Sequence, residues 1–126
     1  MPTRVLIIDD SAFMRRALAA LLAKDPDIRV IDTARNGEEG LAKIAQHKPD
    51  VCTLDLEMPV MHGYELIKRV KSIEYLLDIA IIVLTSRGTK KHRQMALETG
   101  ADDFLVKPFD EKALSDVINR FLMKRA

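Results

Sequence analysis

Five short apolar runs alternate along the chain with longer segments of helical spacing. The runs are Val5–Ile8, Val30–Thr33, Val51–Leu54, Ile79–Leu84 and Asp103–Val106. They are mostly Val, Ile and Leu, the composition of parallel strands buried on both faces. Between them the spacing predicts helices. The first runs from about Ala12 to Lys24, with Met14, Leu18, Leu21 and Leu22 on one stripe, Ser11 as N-cap and Pro26 just beyond. The second, about Glu38–Gln46, is entered through Asn36-Gly37. The third covers about Tyr64–Ile73 after Gly63, and the fourth about Lys91–Thr99, closed by Gly100. The last runs from about Glu111 to Met123, with Leu114, Val117, Ile118, Phe121 and Leu122 at helical spacing and Asp110 as cap. The order is a strand and a helix repeated five times. Parallel strands need right-handed crossovers, so a five-stranded α/β sheet with helices on both faces follows. The pattern leaves the strand order open.

Composition narrows the class without changing the fold. A length of 126 residues suits one domain with a core that needs no disulfide or structural metal. The 48% hydrophobic and 31% charged content is that of an ordinary globular chain. The single cysteine, Cys52, excludes an internal disulfide, fits a reducing cytoplasmic setting, and sits in an apolar run that predicts an inert core thiol. Met1-Pro2-Thr3-Arg4 leads into too short an apolar run for a signal peptide or a membrane span. A net charge of +1 gives no general pull toward nucleic acid or membrane. Arg87, Lys90, Lys91, His92 and Arg93 form a basic stretch without interleaved aromatics. It is read as a solvated helix face, and DNA binding is not expected.

In open α/β sheets, ligands bind beyond the carboxyl ends of the strands. Asp9, Asp10 and Ser11 follow the first run, Asp55, Leu56, Glu57, Met58 and Pro59 the third, Thr85 and Ser86 the fourth, and Lys107 and Pro108 the fifth. The second ends more plainly, in Ala34-Arg35-Asn36-Gly37. If strands one, three, four and five are neighbours, three carboxylates, a hydroxyl and an ammonium share one crevice. Clustered carboxylates repel one another, so the cluster costs stability unless a cation occupies it. A hard divalent cation with oxygen ligands, Mg²⁺ in particular, is the natural occupant. Taken singly, each element also has an ordinary reading. Asp9-Asp10-Ser11 makes a turn and cap, Asp55 is a loop carboxylate, Thr85-Ser86 caps a helix, and Lys107-Pro108 is a solvent-facing turn. Their joint placement after buried strands favours the shared site.

At Ile8-Asp9-Asp10-Ser11, Leu54-Asp55-Leu56-Glu57-Met58-Pro59, Leu84-Thr85-Ser86 and Val106-Lys107-Pro108-Phe109 the chain resembles the receiver domain of two-component response regulators. The resemblance covers essentially the whole chain, 1–126, as a single domain. It implies a flavodoxin-like sheet of order 2-1-3-4-5 with five helices. It also implies Asp55 as phosphoacceptor, Asp9, Asp10 and Asp55 with the main-chain carbonyl of Glu57 as Mg²⁺ ligands (or Mn²⁺), and Thr85 and Lys107 as partners of the bound phosphoryl. Thr85 and Phe104 are implied as switch residues, with a plain core aromatic as the other reading of Phe104, and the Lys107–Pro108 bond is implied to be cis. Glu57 and Arg87 stand where the family tunes phosphoryl lifetime. Their opposite charges are read as a pair that hinders the attacking water, or as two solvated side chains. His62, where many receivers have Asp, is read as a loop surface residue, and His47 and His92 as exposed helix residues.

Carboxylate attack on phosphorus gives an aspartyl phosphate, a chemistry that depends on positioning and charge neutralisation. The chain is therefore read as a phosphoacceptor switch that catalyses only its own phosphorylation and dephosphorylation. A phosphatase of the dehalogenase-like type would want Asp-x-Asp directly after its first strand, whereas Ser11 stands two residues past Asp9. A non-phosphorylated binding module is disfavoured because Asp9, Asp10, Asp55, Thr85 and Lys107 are all intact. The segments 10–15 and 53–61 are similar to receivers of chemotaxis methylesterases, while Thr85-Ser86-Arg87 followed by Lys91-His92-Arg93 is similar to receivers fused to chemotaxis kinases. A stand-alone receiver or a segment of such a longer protein both fit. The resemblance implies a sensor histidine kinase or phosphotransfer protein as donor, and a target protein on the face built from the fourth helix, fifth strand and fifth helix. It allows a monomer or a phosphorylation-linked dimer.

Overall fold

The computed structural model describes residues 2–55, 63–86, 90–107 and 109–125, with backbone alone for 63, 75 and 122–125. In chain order the elements are β1 (Thr3–Ile8), α1 (Ala12–Leu22), β2 (Ile28–Ala34), α2 (Gly37–His47), β3 (Val51–Asp55), α3 (Gly63–Lys71), a 3₁₀ turn (Glu74–Leu76), β4 (Ala80–Thr85), α4 (Lys90–Thr99), β5 (Asp103–Val106) and α5 (Glu111–Arg125). All sheet pairings are parallel and the order is β2-β1-β3-β4-β5. The doubly wound fold and its strand order match the expectation.

Alternation along each strand divides the core in two. Leu6, Ile8, Cys52, Leu54, Ile81, Val83 and Phe104 pack against Ile44 of α2, Leu66, Ile67 and Val70 of α3, and Ala96 of α4. Val5, Ile7, Val51, Ala80, Ile82 and Leu84 face Leu18 and Leu22 of α1 and Leu114, Val117, Ile118 and Phe121 of α5. The central strands β3 and β4 are buried at every residue, but the edge strands β2 and β5 are covered only in part. Two-sided burial, read equally into all five runs, therefore holds only for strands with a neighbour on each side.

Three polar residues start helices as expected. Ser11 Oγ accepts the Met14 N–H at 3.2 Å, Asn36 Oδ1 the Glu39 N–H at 2.9 Å, and Asp110 Oδ1 the Ala113 N–H at 2.8 Å. Each such cap contributes about 1 kcal/mol. α1 stops at Leu22 rather than Lys24, because the Lys24 and Asp25 N–H groups turn to Leu21 O and Leu22 O and Pro26 has none to give. α3 likewise ends at Lys71, two residues before the expected Ile73, and a separate 3₁₀ turn follows at Glu74–Leu76. Gly100 leaves α4 at φ +124°, a backbone that L side chains rarely adopt. Gly40 inside α2 has a different reason. A Cβ there would lie 2.8 Å from Ile8 Cδ1, so its absence lets α2 settle onto β1.

Cys52 is buried and its thiol is pushed up by that burial, as an inert core residue should be. The expectation for His47 and His92 does not hold, since both are half-buried. His47 Nε2 lies 3.2 Å from Asp32 Oδ2, and its carbonyl accepts Arg4 Nη2 at 2.8 Å. A contact between β2 and α2 leaves no periodic trace in either element.

Candidate functional site

The sheet register brings the polar residues together. Ile8 stands opposite Leu54, so the next residues, Asp9 and Asp55, emerge side by side. Asp55 is opposite Leu84, and Thr85 opposite Val106, which sets Lys107 one step beyond. Alternation then sorts the side chains. Asp9 continues the Val5 and Ile7 series, Asp55 the Val51 series and Lys107 the Leu105 series, all toward α1 and α5. Thr85 continues the Ile81 and Val83 series toward α3 and α4, on the face where Phe104 is packed.

Lys107 Nζ lies 3.6 Å from Asp9 Oδ2 and 4.0 Å from Asp55 Oδ1. One carboxylate oxygen from each of Asp9, Asp10 and Asp55 lies within 4.8 Å of the others. Asp9 and Asp55 are almost fully buried, at 1% and 5% exposure, whereas Asp10 is exposed. Among the described residues, three carboxylates thus gather near one ammonium, an excess of negative charge in a partly dry crevice.

Asp9 is held from several sides. Its N–H donates to Ala34 O at 3.1 Å, and its carbonyl accepts Arg15 Nη1 at 2.8 Å. Its Oδ1 accepts the Ser11 N–H at 2.9 Å, so the turn anticipated for Asp9-Asp10-Ser11 is real. That turn accounts for only half of the carboxylate. Among the described residues Oδ2 is buried with no hydrogen-bond partner, and its ammonium neighbour is beyond hydrogen-bonding distance. Buried carboxylate oxygens are seldom left so. An orphaned buried oxygen within an all-oxygen donor set fits a hard divalent cation.

Thr85 is fully buried and Phe104 nearly so. The Lys107 N–H donates to Thr85 O at 2.8 Å, tying the ends of β4 and β5 together. Glu57, His62, Arg87 and Pro108 lie outside the described residues. Arg15 was missed by sequence reading. Nothing in its spacing marks it apart from the other polar positions of α1.

Residues 5–119 match the response regulator receiver domain. The chain belongs to that family. Over 105 residues this receiver is 48% identical to the protein-glutamate methylesterase/protein-glutamine glutaminase of Halalkalibacterium halodurans, an alignment that covers 83% of this chain and 30% of that protein. The chain thus spans about 30% of the length of the curated relatives it matches. The response regulator domain of Thermotoga maritima CheB superposes with a TM-score of 0.77 at 34% identity, covering 98% of this chain and 93% of that one. The CheX–CheY–BeF3–Mg²⁺ complex from Borrelia burgdorferi contains a chain that superposes with a TM-score of 0.85 at 33% identity, covering 96% of this receiver and 90% of that chain. The relatives accord with the methylesterase likeness of segments 10–15 and 53–61. This is a two-component signalling receiver with chemotaxis-related kin.

Proposed function

We propose that Asp55 accepts the phosphoryl group, with Asp9, Asp10, Asp55 and the Glu57 carbonyl holding Mg²⁺ or Mn²⁺. The observation that carries this reading is the convergence of Asp9, Asp55 and Lys107, with Asp9 Oδ2 buried and lacking a hydrogen bond. In the transfer, an Asp55 carboxylate oxygen attacks the phosphorus of a phosphohistidine. The phosphorus–nitrogen bond breaks with its electrons going to the imidazole, which then takes a proton from solvent. The bound cation supplies neutralisation of charge on the phosphoryl oxygens. Lys107, already between Asp9 and Asp55, turns its ammonium to one of those oxygens, and the Thr85 hydroxyl donates to another. Movement of Thr85 toward the new charge changes the packing beside Phe104, which biases a two-state surface. Glu57 and Arg87 set the access of water to the acyl phosphate.

The chain acts as one receiver unit over 1–126 in the cytoplasm. It catalyses its own phosphorylation and dephosphorylation and has no other substrate. A histidine kinase or phosphotransfer protein supplies the phosphoryl group. A target reads the α4-β5-α5 face, where Met95 and Val106 are exposed apolar residues. The methylesterase relatives favour an attached or separate chemotaxis effector as that target. Incubation with a small phosphodonor and Mg²⁺, read by intact mass, tests the assignment. One alkali-labile phosphoryl group is expected on the wild type and none on Asp55→Asn. No adduct on the wild type, or an adduct that survives the substitution, overturns it.

A further inference from the structure

The loop that carries Asp9 and Asp10 is anchored by a side chain that the phosphoryl chemistry does not use. Arg15, one turn into α1 and half-buried, donates from Nη1 to the main-chain carbonyl of Asp9 at 2.8 Å. That carbonyl belongs to the peptide unit joining Asp9 to Asp10. The Asp9 side chain is separately fixed by the Ser11 N–H at 2.9 Å, and Ser11 is fixed by its cap to Met14 at 3.2 Å. Asp10 is different. It is exposed, and among the described residues no neighbouring element hydrogen-bonds its carboxylate. Its place within 4.8 Å of the Asp9 and Asp55 oxygens therefore depends on the orientation of the peptide that precedes it. Arg15 grips that peptide.

We propose that Arg15 is a positioning residue for the cation site, holding the Asp9–Asp10 peptide so that the Asp10 carboxylate stays beside those of Asp9 and Asp55. The proposal rests on the reading of these three carboxylates as Mg²⁺ ligands. Groups that orient ligands from behind in this way affect metal affinity by roughly 10- to 100-fold. Charge alone argues the other way. A guanidinium near the acidic cluster repels a divalent cation, so its removal should tighten binding if electrostatics were its only role. The sign of the change therefore separates positioning from simple charge.

The test is Mg²⁺ affinity of the full chain, measured by calorimetric titration without any phosphodonor, with thermal unfolding alongside. Arg15→Met, which keeps the bulk and removes the donor, is expected to bind Mg²⁺ roughly 10-fold more weakly. Arg15→Lys, which restores a donor, is expected to recover most of that loss. Arg16→Met removes the same charge from an exposed position of the same helix and is expected to bind no more weakly than wild type. Equal or tighter binding by Arg15→Met overturns the positioning role, as does an equal loss in Arg16→Met. If Arg15→Met does not fold, Arg15→Leu and Arg15→Ala, which also lack the donor, carry the comparison, and equal or tighter binding in both overturns the proposal. Failure of the wild type to bind Mg²⁺ while Asp55 still accepts a phosphoryl group overturns the three-carboxylate reading itself.

Discussion

At the amino end of the sheet, Asp50 accepts the Arg4 N–H at 2.8 Å, while the Arg4 guanidinium reaches His47 O at 2.8 Å and Lys48 O at 3.1 Å. Nearby, Asp102 Oδ2 accepts both the Ile81 N–H at 2.8 Å and Lys71 Nζ at 2.9 Å, and that ammonium also bonds Ile79 O. At the carboxyl end, among the described residues, one ammonium stands beside Asp9 and Asp55 with Asp10 close by, and a buried oxygen of Asp9 has no hydrogen bond. The amino end spends its charges on closing loops, and each is answered by a fixed group of the chain. The carboxyl end leaves Asp9 Oδ2 without a hydrogen bond among the described residues, in the crevice proposed above for a cation. Satisfied charges stabilise the fold, and unsatisfied ones at a crevice are the part reserved for chemistry.

Substitutions at the two ends should therefore have opposite signatures. The largest effect is expected at Lys107. Lys107→Met should slow phosphorylation by a small phosphodonor roughly 10²-fold, the usual consequence of removing one charge-stabilising donor. A rate within a few-fold of wild type would place the lysine outside the reaction. Next comes the cation. Mg²⁺ at about 100 times its Kd should raise the unfolding free energy by about 2.7 kcal/mol, read in urea melts. The gain should vanish in Asp9→Asn and persist in Asp102→Ala. That amino-end substitution should in turn cost about 1 to 2 kcal/mol, because the buried Ile81 N–H and the partly covered Lys71 lose their acceptor. Phosphorylation of its folded fraction should proceed at the wild-type rate. Loss of phosphorylation in Asp102→Ala would erase the contrast between the two ends.

The smallest effect concerns the β2 edge. Burial alone would raise the Asp32 carboxyl, but the Thr33 N–H, Lys43 and His47 together hold it below its ordinary value. The folded state therefore takes up this proton less readily than the unfolded state. Its stabilisation is full above the ordinary carboxylate range and is lost as pH falls through the lowered value. Asp32→Asn should flatten the acid limb of stability, measured as urea midpoints between about pH 5 and about pH 2. The change should be small, since the pair is partly exposed. An unaltered acid limb would assign that limb to other carboxylates.

The strand and helix alternation was legible because it is periodic, and the placement of Asp9, Asp10, Asp55, Thr85 and Lys107 at one edge of the sheet was legible because each stands at the carboxyl end of an apolar run. The roles of Asp9 were only half legible. Sequence offered a turn or a ligand as alternatives, and the structure shows a turn that uses one oxygen and leaves the other. Lys71 with Asp102, His47 with Asp32 and Arg15 with the Asp9 carbonyl were not legible. The first two join residues on different elements, and the third depends on how α1 leaves its loop, so no repeat along the chain encodes them. The early end of α3 was hidden for a local reason. Its last expected apolar position, Ile73, still packs against the core after the backbone has left the helix.

The pairing of Ile8 with Leu54, Asp55 with Leu84 and Thr85 with Val106 works as a reading frame. Loops at the opposite end of the strands can lengthen or shorten without disturbing it. One residue added within β3 would swing Asp55 across to the α3 and α4 side, away from Asp9 and Lys107. A protein carrying that insertion could keep a sheet of the same strands and still be silent, which makes strand length, as much as residue identity, a heritable part of the signal.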